Sequence, residues 1–105
     1  MTKIYLAGPI TKMEWIAAKT QFSQMEEYAR DTLQFDEVVN PVDHAPPSSL
    51  LEDEMEIWCH YMRESLRKLT ECDAILLAPN YHISKGARLE KYVAEELGCD
   101  VYYMR

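Results

Sequence analysis

The residues best suited to chemistry lie in one short stretch, Ser84-Lys85-Gly86-Ala87-Arg88-Leu89-Glu90. It follows the apolar run Ala74-Ile75-Leu76-Leu77-Ala78, which reads as a buried strand, and opens a helix running to about Leu97. Gly86, Glu90, Val93 and Leu97 fall at i, i+4, i+7 and i+11, which is one helical face. Val93, Ala94 and Leu97 make that face apolar, so Glu90 points towards the core or a cleft. A carboxylate there either pairs with a lysine or arginine at the rim of the core or serves as a nucleophile or base at a strand-end cleft. It lies beyond the first turn, where the helix dipole has faded. Ser84 stands at the N-cap position, with Lys85 and Gly86 in the first turn. Free amide groups, a hydroxyl, a lysine and the dipole together suit an anion, and the same serine is equally a plain cap. The motif is neither a Walker nor a GxGxxG phosphate loop.

Other reactive side chains are less informative. Asp43 and His44 lie on a proline-rich loop and read as solvated. Tyr5 sits on the first strand with its face undecided, Asp73 reads as a turn residue, and His60 and His82 have no identifiable partner. Cys59, Cys72 and Cys99 are odd in number and lack metal-type spacing, which suits free buried thiols in a reducing compartment. None lies in a glycine-rich turn or an electropositive setting, so a catalytic cysteine is disfavoured. With no clustered His, Cys and Asp at ligand spacing, neither a metal nor a cofactor is expected.

These residues need a scaffold, and the pattern supplies alternating strands and helices. A strand over Lys3–Ala7 ends in the turn Gly8-Pro9. A helix over Glu14–Leu33 carries the stripe Trp15, Ala18, Phe22, Met25 and Ala29. A strand over Glu37–Asn40 stops at Pro41 and enters a proline-rich loop to Ser49 of the kind that borders sites. A helix over Asp53–Thr70 buries Trp58, Met62, Ser65 and Leu69; a strand over Ala74–Ala78, the loop Pro79–Ile83, the Glu90 helix and a strand over Asp100–Tyr103 follow. Such alternation predicts right-handed βαβ units, hence a flavodoxin-like α/β fold: an open parallel sheet of order 2-1-3-4 with helices on both faces. Ligands then bind at the carboxyl ends of the strands, where the order reverses. The loops at that edge are Gly8–Met13, Asn40–Ser49 and Pro79–Gly86. Of three glycines, Gly8 and Gly86 fall in this edge and Gly98 ends the last helix.

The chain's 105 residues read as one domain with a modest core. A net charge of −7 argues against a nucleic-acid polymer as partner but leaves room for a small phosphorylated ligand at a locally positive site. No run approaches a membrane span. The N-terminal apolar stretch is too short for a secretory segment, so a cytoplasmic location is the default expectation.

Four segments together resemble a known group: Lys3-Ile4-Tyr5-Leu6-Ala7-Gly8-Pro9-Ile10, Asn40-Pro41, Cys72-Asp73-Ala74-Ile75, and Ser84-x-Gly86-Ala87-x-x-Glu90. In order and placement they are similar to the nucleoside 2-deoxyribosyltransferase-like superfamily, and most to its small domain-of-unknown-function 4406 branch, often found in phage and prophage. The resemblance covers nearly the whole chain. It implies N-glycosidic chemistry: the glutamate at the Glu90 position attacks the anomeric carbon of a nucleoside or nucleotide. The base leaves, and another base or water resolves the glycosyl-enzyme, as in retaining glycosidases. It also implies that Ser84, with Gly86, holds a 5′-phosphate and that the loop carrying Gly8, Pro9 and Ile10 meets base and sugar. Tyr5, Asn40 and Asp43 complete the substrate-binding candidates. Homodimers or larger assemblies are common in the group.

The chain departs from its relatives on the second long helix. Where they carry an aspartate that assists at the sugar or leaving group, this chain has Ser65, flanked by Glu64. A hydroxyl hydrogen-bonds but supplies no charge, and Glu64 lies about 100° round the helix. Three readings therefore stand: an N-glycosidase or base transferase using Glu90 with Glu64 or Ser65 assisting, a nucleotide-binding or sequestering protein with weak or lost catalysis, and, by fold analogy alone, an NAD-type dinucleotide glycohydrolase.

Overall fold

The computed structural model describes residues 3–10, 15–43 and 54–104, with only the backbone described for Trp15 and residues 54–57. Four strands, β1 (Lys3–Ala7), β2 (Glu37–Val39), β3 (Ala74–Leu77) and β4 (Asp100–Tyr103), alternate with three helices, α1 (Trp15–Asp31), α2 (Glu54–Leu69) and α3 (Lys85–Glu96). The strands form one parallel sheet in the order β2-β1-β3-β4. Tyr5 stands between Val39 and Ile75 in the register. The order reverses between β1 and β3, so the expected crevice lies at their carboxyl ends.

Helix α1 packs on β1 and β2, while α2 and α3 pack on each other, with α3 also against β1, β3 and β4. Right-handed crossovers dictate this split, because the chain steps one way for β2 and the other way for β3 and β4. Ala18, Phe22, Met25 and Ala29 of the α1 stripe are fully buried, the last three against Ile4, Leu6, Ala74 and Leu76; Phe22 and Met25 each contribute on the order of 2 kcal/mol by that burial. On the opposite face Tyr5, Ala7, Ile75 and Leu77 meet Leu69, Ala87 and Ala94. Ile4 to Ala7 and Ile75 to Leu77 are buried whichever way they point, as a sheet covered on both faces requires.

Several element ends differ from the sequence expectation by one or two residues, β3 stopping at Leu77 and α2 at Leu69 among them. Helix α1 stops at Asp31 rather than Leu33: Gln34 takes a positive φ of 62°, and Phe35 N–H donates back to Ala29 O at 3.0 Å. Strand β2 stops at Val39 because Asn40 Oδ1 accepts from Val42 N–H at 3.1 Å, turning the chain into a 3-10 turn over Pro41–Asp43. The rest of the proline-rich loop, His44 included, lies outside the described residues, as do residues 11–14 after Ile10. Leu97, expected on the buried face of α3, is 54% exposed and caps that helix. Beyond it Gly98 has φ +79°, with Gly98 N–H on Glu95 O and Cys99 N–H on Ala94 O, a Schellman ending.

Candidate active site

The three long helices run antiparallel to the strands, so α2 and α3 both begin at the carboxyl edge of the sheet and descend from it. On α3 the Ser84 cap forms as read: its Oγ accepts from Ala87 N–H at 3.1 Å. Six residues after this cap, Glu90 is 2% exposed. The rim-of-core ion pair is not formed, since no lysine or arginine pairs with Glu90 among the described residues. Its partner is Tyr5, whose hydroxyl donates to Glu90 Oε2 at 2.5 Å. Tyr5 thus faces the α2–α3 side, which strand alternation alone left open.

Helix α2 completes the cluster. Ser65 is fully buried, and one turn nearer the carboxyl edge Tyr61 is 6% exposed. The hydroxyls of Tyr5, Tyr61 and Ser65 hydrogen-bond among themselves beside Glu90. With 1.5 Å of rise per residue, Tyr61 stands about 6 Å closer to the edge than Ser65. Three hydroxyls and one carboxyl thus meet in one buried cluster.

The electrostatics follow from that enclosure. Burial raises the Glu90 carboxyl from its usual range to about 8, and the Tyr5 hydrogen bond pulls in the opposite direction. Burial, then the adjacent Glu90 charge, pushes both Tyr5 and Tyr61 well above the ordinary phenol range. Neither tyrosine is a source of phenolate near neutral pH; both are hydroxyl donors. Glu90 alone in the cluster changes charge in a physiological range.

The other candidates are placed as follows. Glu64 turns away from the cluster and pairs with Arg67 at 2.6 Å on the outer flank of α2. Gly86 lies against α2: a Cβ there would stand 2.9 Å from Met62 Sδ and 3.6 Å from Trp58 Nε1. Lys85, in the same turn, holds its ammonium 4.3 Å from the Trp58 ring centroid. Gly8, Pro9 and Ile10 are buried, and a Cβ on Gly8 would stand 2.8 Å from Ala78 Cβ. The glycines at this edge therefore serve close packing of the chain on itself. Asn40 is committed on both sides, accepting from Val42 N–H and donating through Nδ2 to Glu26 Oε1 at 3.2 Å. Asp43 is exposed at the end of its turn. Cys72 is buried, its thiol pushed up to about 11 by burial, and all three cysteines are free. His60 and His82 are exposed.

The sequence reading had Glu90 and Ser65 as catalytic candidates and Tyr5 as a substrate-binding one, and the fold brings the three into one place. It missed Tyr61. The signal was available, because Tyr61, Ser65 and Leu69 are spaced i, i+4, i+8 on α2.

The model of the family described as "Domain of unknown function (DUF4406)" matches residues 2–103. The chain belongs to that family. Among solved structures, a 2-deoxyribosyltransferase from the psychrotolerant bacterium Bacillus psychrosaccharolyticus matches with a TM-score of 0.65 and 24% sequence identity, over 96% of this chain and 70% of that one. The chain shares that protein's fold. No curated protein matches the chain. No described helix is long and apolar enough to cross a membrane.

Proposed function

We propose that this chain cleaves the N-glycosidic bond of a nucleoside or nucleoside 5′-monophosphate, with Glu90 as nucleophile. The observation that carries the reading is a buried carboxyl, hydrogen-bonded by Tyr5, on the helix that opens at the ligand-binding edge of this fold. Once ionised, Glu90 attacks the anomeric carbon. The C1′–N bond breaks with its electron pair passing to the base, which takes a proton from water. The glycosyl ester left on Glu90 is then opened by water, giving the free sugar, or by a second base, giving a new nucleoside. A carboxylate deprived of water is a strong nucleophile towards a carbon developing positive charge, and its own charge stabilises that carbon.

The start of α3 supports the phosphate preference. The N–H groups of Lys85 and Gly86 are free of helical partners, the dipole is positive there, and Lys85 stands beside them. Ser84 Oγ accepts from Ala87 and keeps its own proton to donate. Small nucleosides or nucleotides are the partners in this reading, with no nucleic-acid polymer. Self-association belongs to it as well, and exposed Ile83, Tyr92 and Tyr103 supply apolar surface at that side of the molecule.

Ser65 motivates the competing reading, nucleotide binding without turnover, since among the described residues no second carboxylate enters the Glu90 cluster. Incubation with nucleosides, ribo- and deoxynucleoside monophosphates and NAD, followed by mass spectrometry for free base, separates the possibilities. Base released from nucleosides or monophosphates by the wild type and not by Glu90→Ala supports the proposal. Release from NAD alone assigns the chain to dinucleotide cleavage. Thermal protection by monophosphates without any release assigns it to binding.

A further inference from the structure

The buried hydroxyls can be counted proton by proton. Each carries one proton to donate and two lone pairs that accept. With Glu90 ionised, Tyr5 spends its only proton on Glu90 Oε2. Its oxygen still hydrogen-bonds within the triangle of Tyr5, Tyr61 and Ser65, and there it can only accept. Either Ser65 donates to Tyr5 directly, or Tyr61 does, or one passes its proton to the other, which donates in turn. When Tyr61 and Ser65 hand their protons towards Tyr5, the chain of donation ends at the ionised Glu90.

We propose that Tyr61 is a positioning residue: with Ser65 it saturates the Tyr5 oxygen with donated protons and so locks the remaining Tyr5 proton onto Glu90. Its bearing on catalysis rests on Glu90 being the nucleophile. The lock does two things. It holds one carboxyl oxygen by a fixed donor, leaving the other to face the anomeric carbon. It also favours the ionised form of Glu90 in a pocket whose burial opposes ionisation. The placement explains how α2 contributes without a carboxylate: Tyr61 and Ser65, one turn apart, supply donors where a second negative charge would make Glu90 harder to ionise. The groups facing Glu90 are Tyr5 from β1 and Tyr61 with Ser65 from α2. Strands β3 and β4 present Ile75, Leu77, Val101 and Tyr103 on this face, with Tyr103 close to Tyr81 and Lys91.

The test reads Glu90 directly and needs no turnover. Protein isotope-labelled at the glutamate δ carbon is titrated by NMR, with Glu90→Gln assigning the resonance. Tyr61→Phe, which removes only the hydroxyl, is expected to raise the Glu90 midpoint by about one pH unit, a tenfold loss of ionised form at a given pH below it. Ser65→Ala is expected to shift it the same way, and serves in place of Tyr61→Phe if that variant does not fold. In a Tyr5→Phe background Tyr61→Phe should add no further shift, because its effect passes through Tyr5. An unmoved midpoint in folded Tyr61→Phe, or an equal shift with and without Tyr5, overturns the inference. Where the wild type releases base, Tyr61→Phe should lower kcat with KM nearly unchanged. A wild type that releases none removes the reading of Glu90 as nucleophile, while the titration still decides the positioning.

Discussion

Glu90 combines two properties that sequence alone could only half anticipate. Its place on an apolar helix face was legible, because Val93 and Ala94 share that face. Its partner was not. Every residue of β1 from Ile4 to Ala7 is buried on one face or the other, so the hydrophobic pattern carries no direction for Tyr5. Tyr61 escaped for a related reason: a buried tyrosine on a helix looks like core until the group its hydroxyl meets is known. The geometry gives a definite pH dependence. Attack requires the carboxylate, and burial places the Glu90 titration at about 8. We therefore expect kcat/KM for base release to rise about tenfold per pH unit on the acid side and to level above that value. Tyr5→Phe removes the one hydrogen bond that favours the carboxylate, so the acid limb should move to higher pH. A profile flat from pH 5 to pH 9, an interval of about four units that spans the expected limb, would mean that Glu90 does not titrate in the active step.

At the scale of the element, α3 joins both ends of the proposed site. It starts with the Ser84 cap and the free amides of the first turn, and one and a half turns later it delivers Glu90 into the pocket. The order of the strands, the helix stripes and the glycine ending of α3 were all readable, since each follows from local periodicity or from a backbone angle that glycine adopts freely. The ends of α1 and β2 were not, because they are set by Gln34 in a left-handed conformation and by the Asn40 side chain bonding to Val42 N–H. Neither choice leaves a trace in the hydrophobic pattern. Gly86 was readable as a point of close approach, and a Cβ there would meet Met62. The cap yields a prediction that separates its two roles. Ser84→Ala should cost about 1 kcal/mol of stability through the lost cap, measured by denaturant unfolding. If the same hydroxyl holds a phosphate, affinity for nucleoside monophosphates should fall by roughly tenfold or more while affinity for the parent nucleosides changes little. Equal losses for both would leave Ser84 a cap and nothing else.

For the molecule as a whole, keeping Glu90 buried costs stability as the pH rises. The folded chain holds the Glu90 proton up to about 8, against an ordinary carboxyl value of 4.5. Between those values the unfolded chain loses that proton and the folded chain keeps it, so this contribution is fully present below pH 4.5 and is lost as pH climbs through 8. Glu90→Gln keeps the shape and an acceptor for Tyr5 but cannot ionise. We expect it to be more stable than the wild type by an amount on the order of a few kcal/mol at pH 8, with the gain shrinking towards pH 5. Unfolding midpoints of the two proteins across that range check the claim, and a difference independent of pH would contradict it. A protein that retains a destabilising buried carboxyl is trading stability for the group's chemistry, which accords with the role proposed for it.

The most direct measurement is peptide mapping of the protein after rapid mixing with a nucleoside monophosphate that it cleaves and acid quenching. With Glu90 as nucleophile, a sugar phosphate is expected on the peptide containing Glu90, absent from Glu90→Gln, and released on addition of a second base or on standing in water. Base release that proceeds with no adduct on that peptide, or that continues undiminished in Glu90→Gln, would contradict that role.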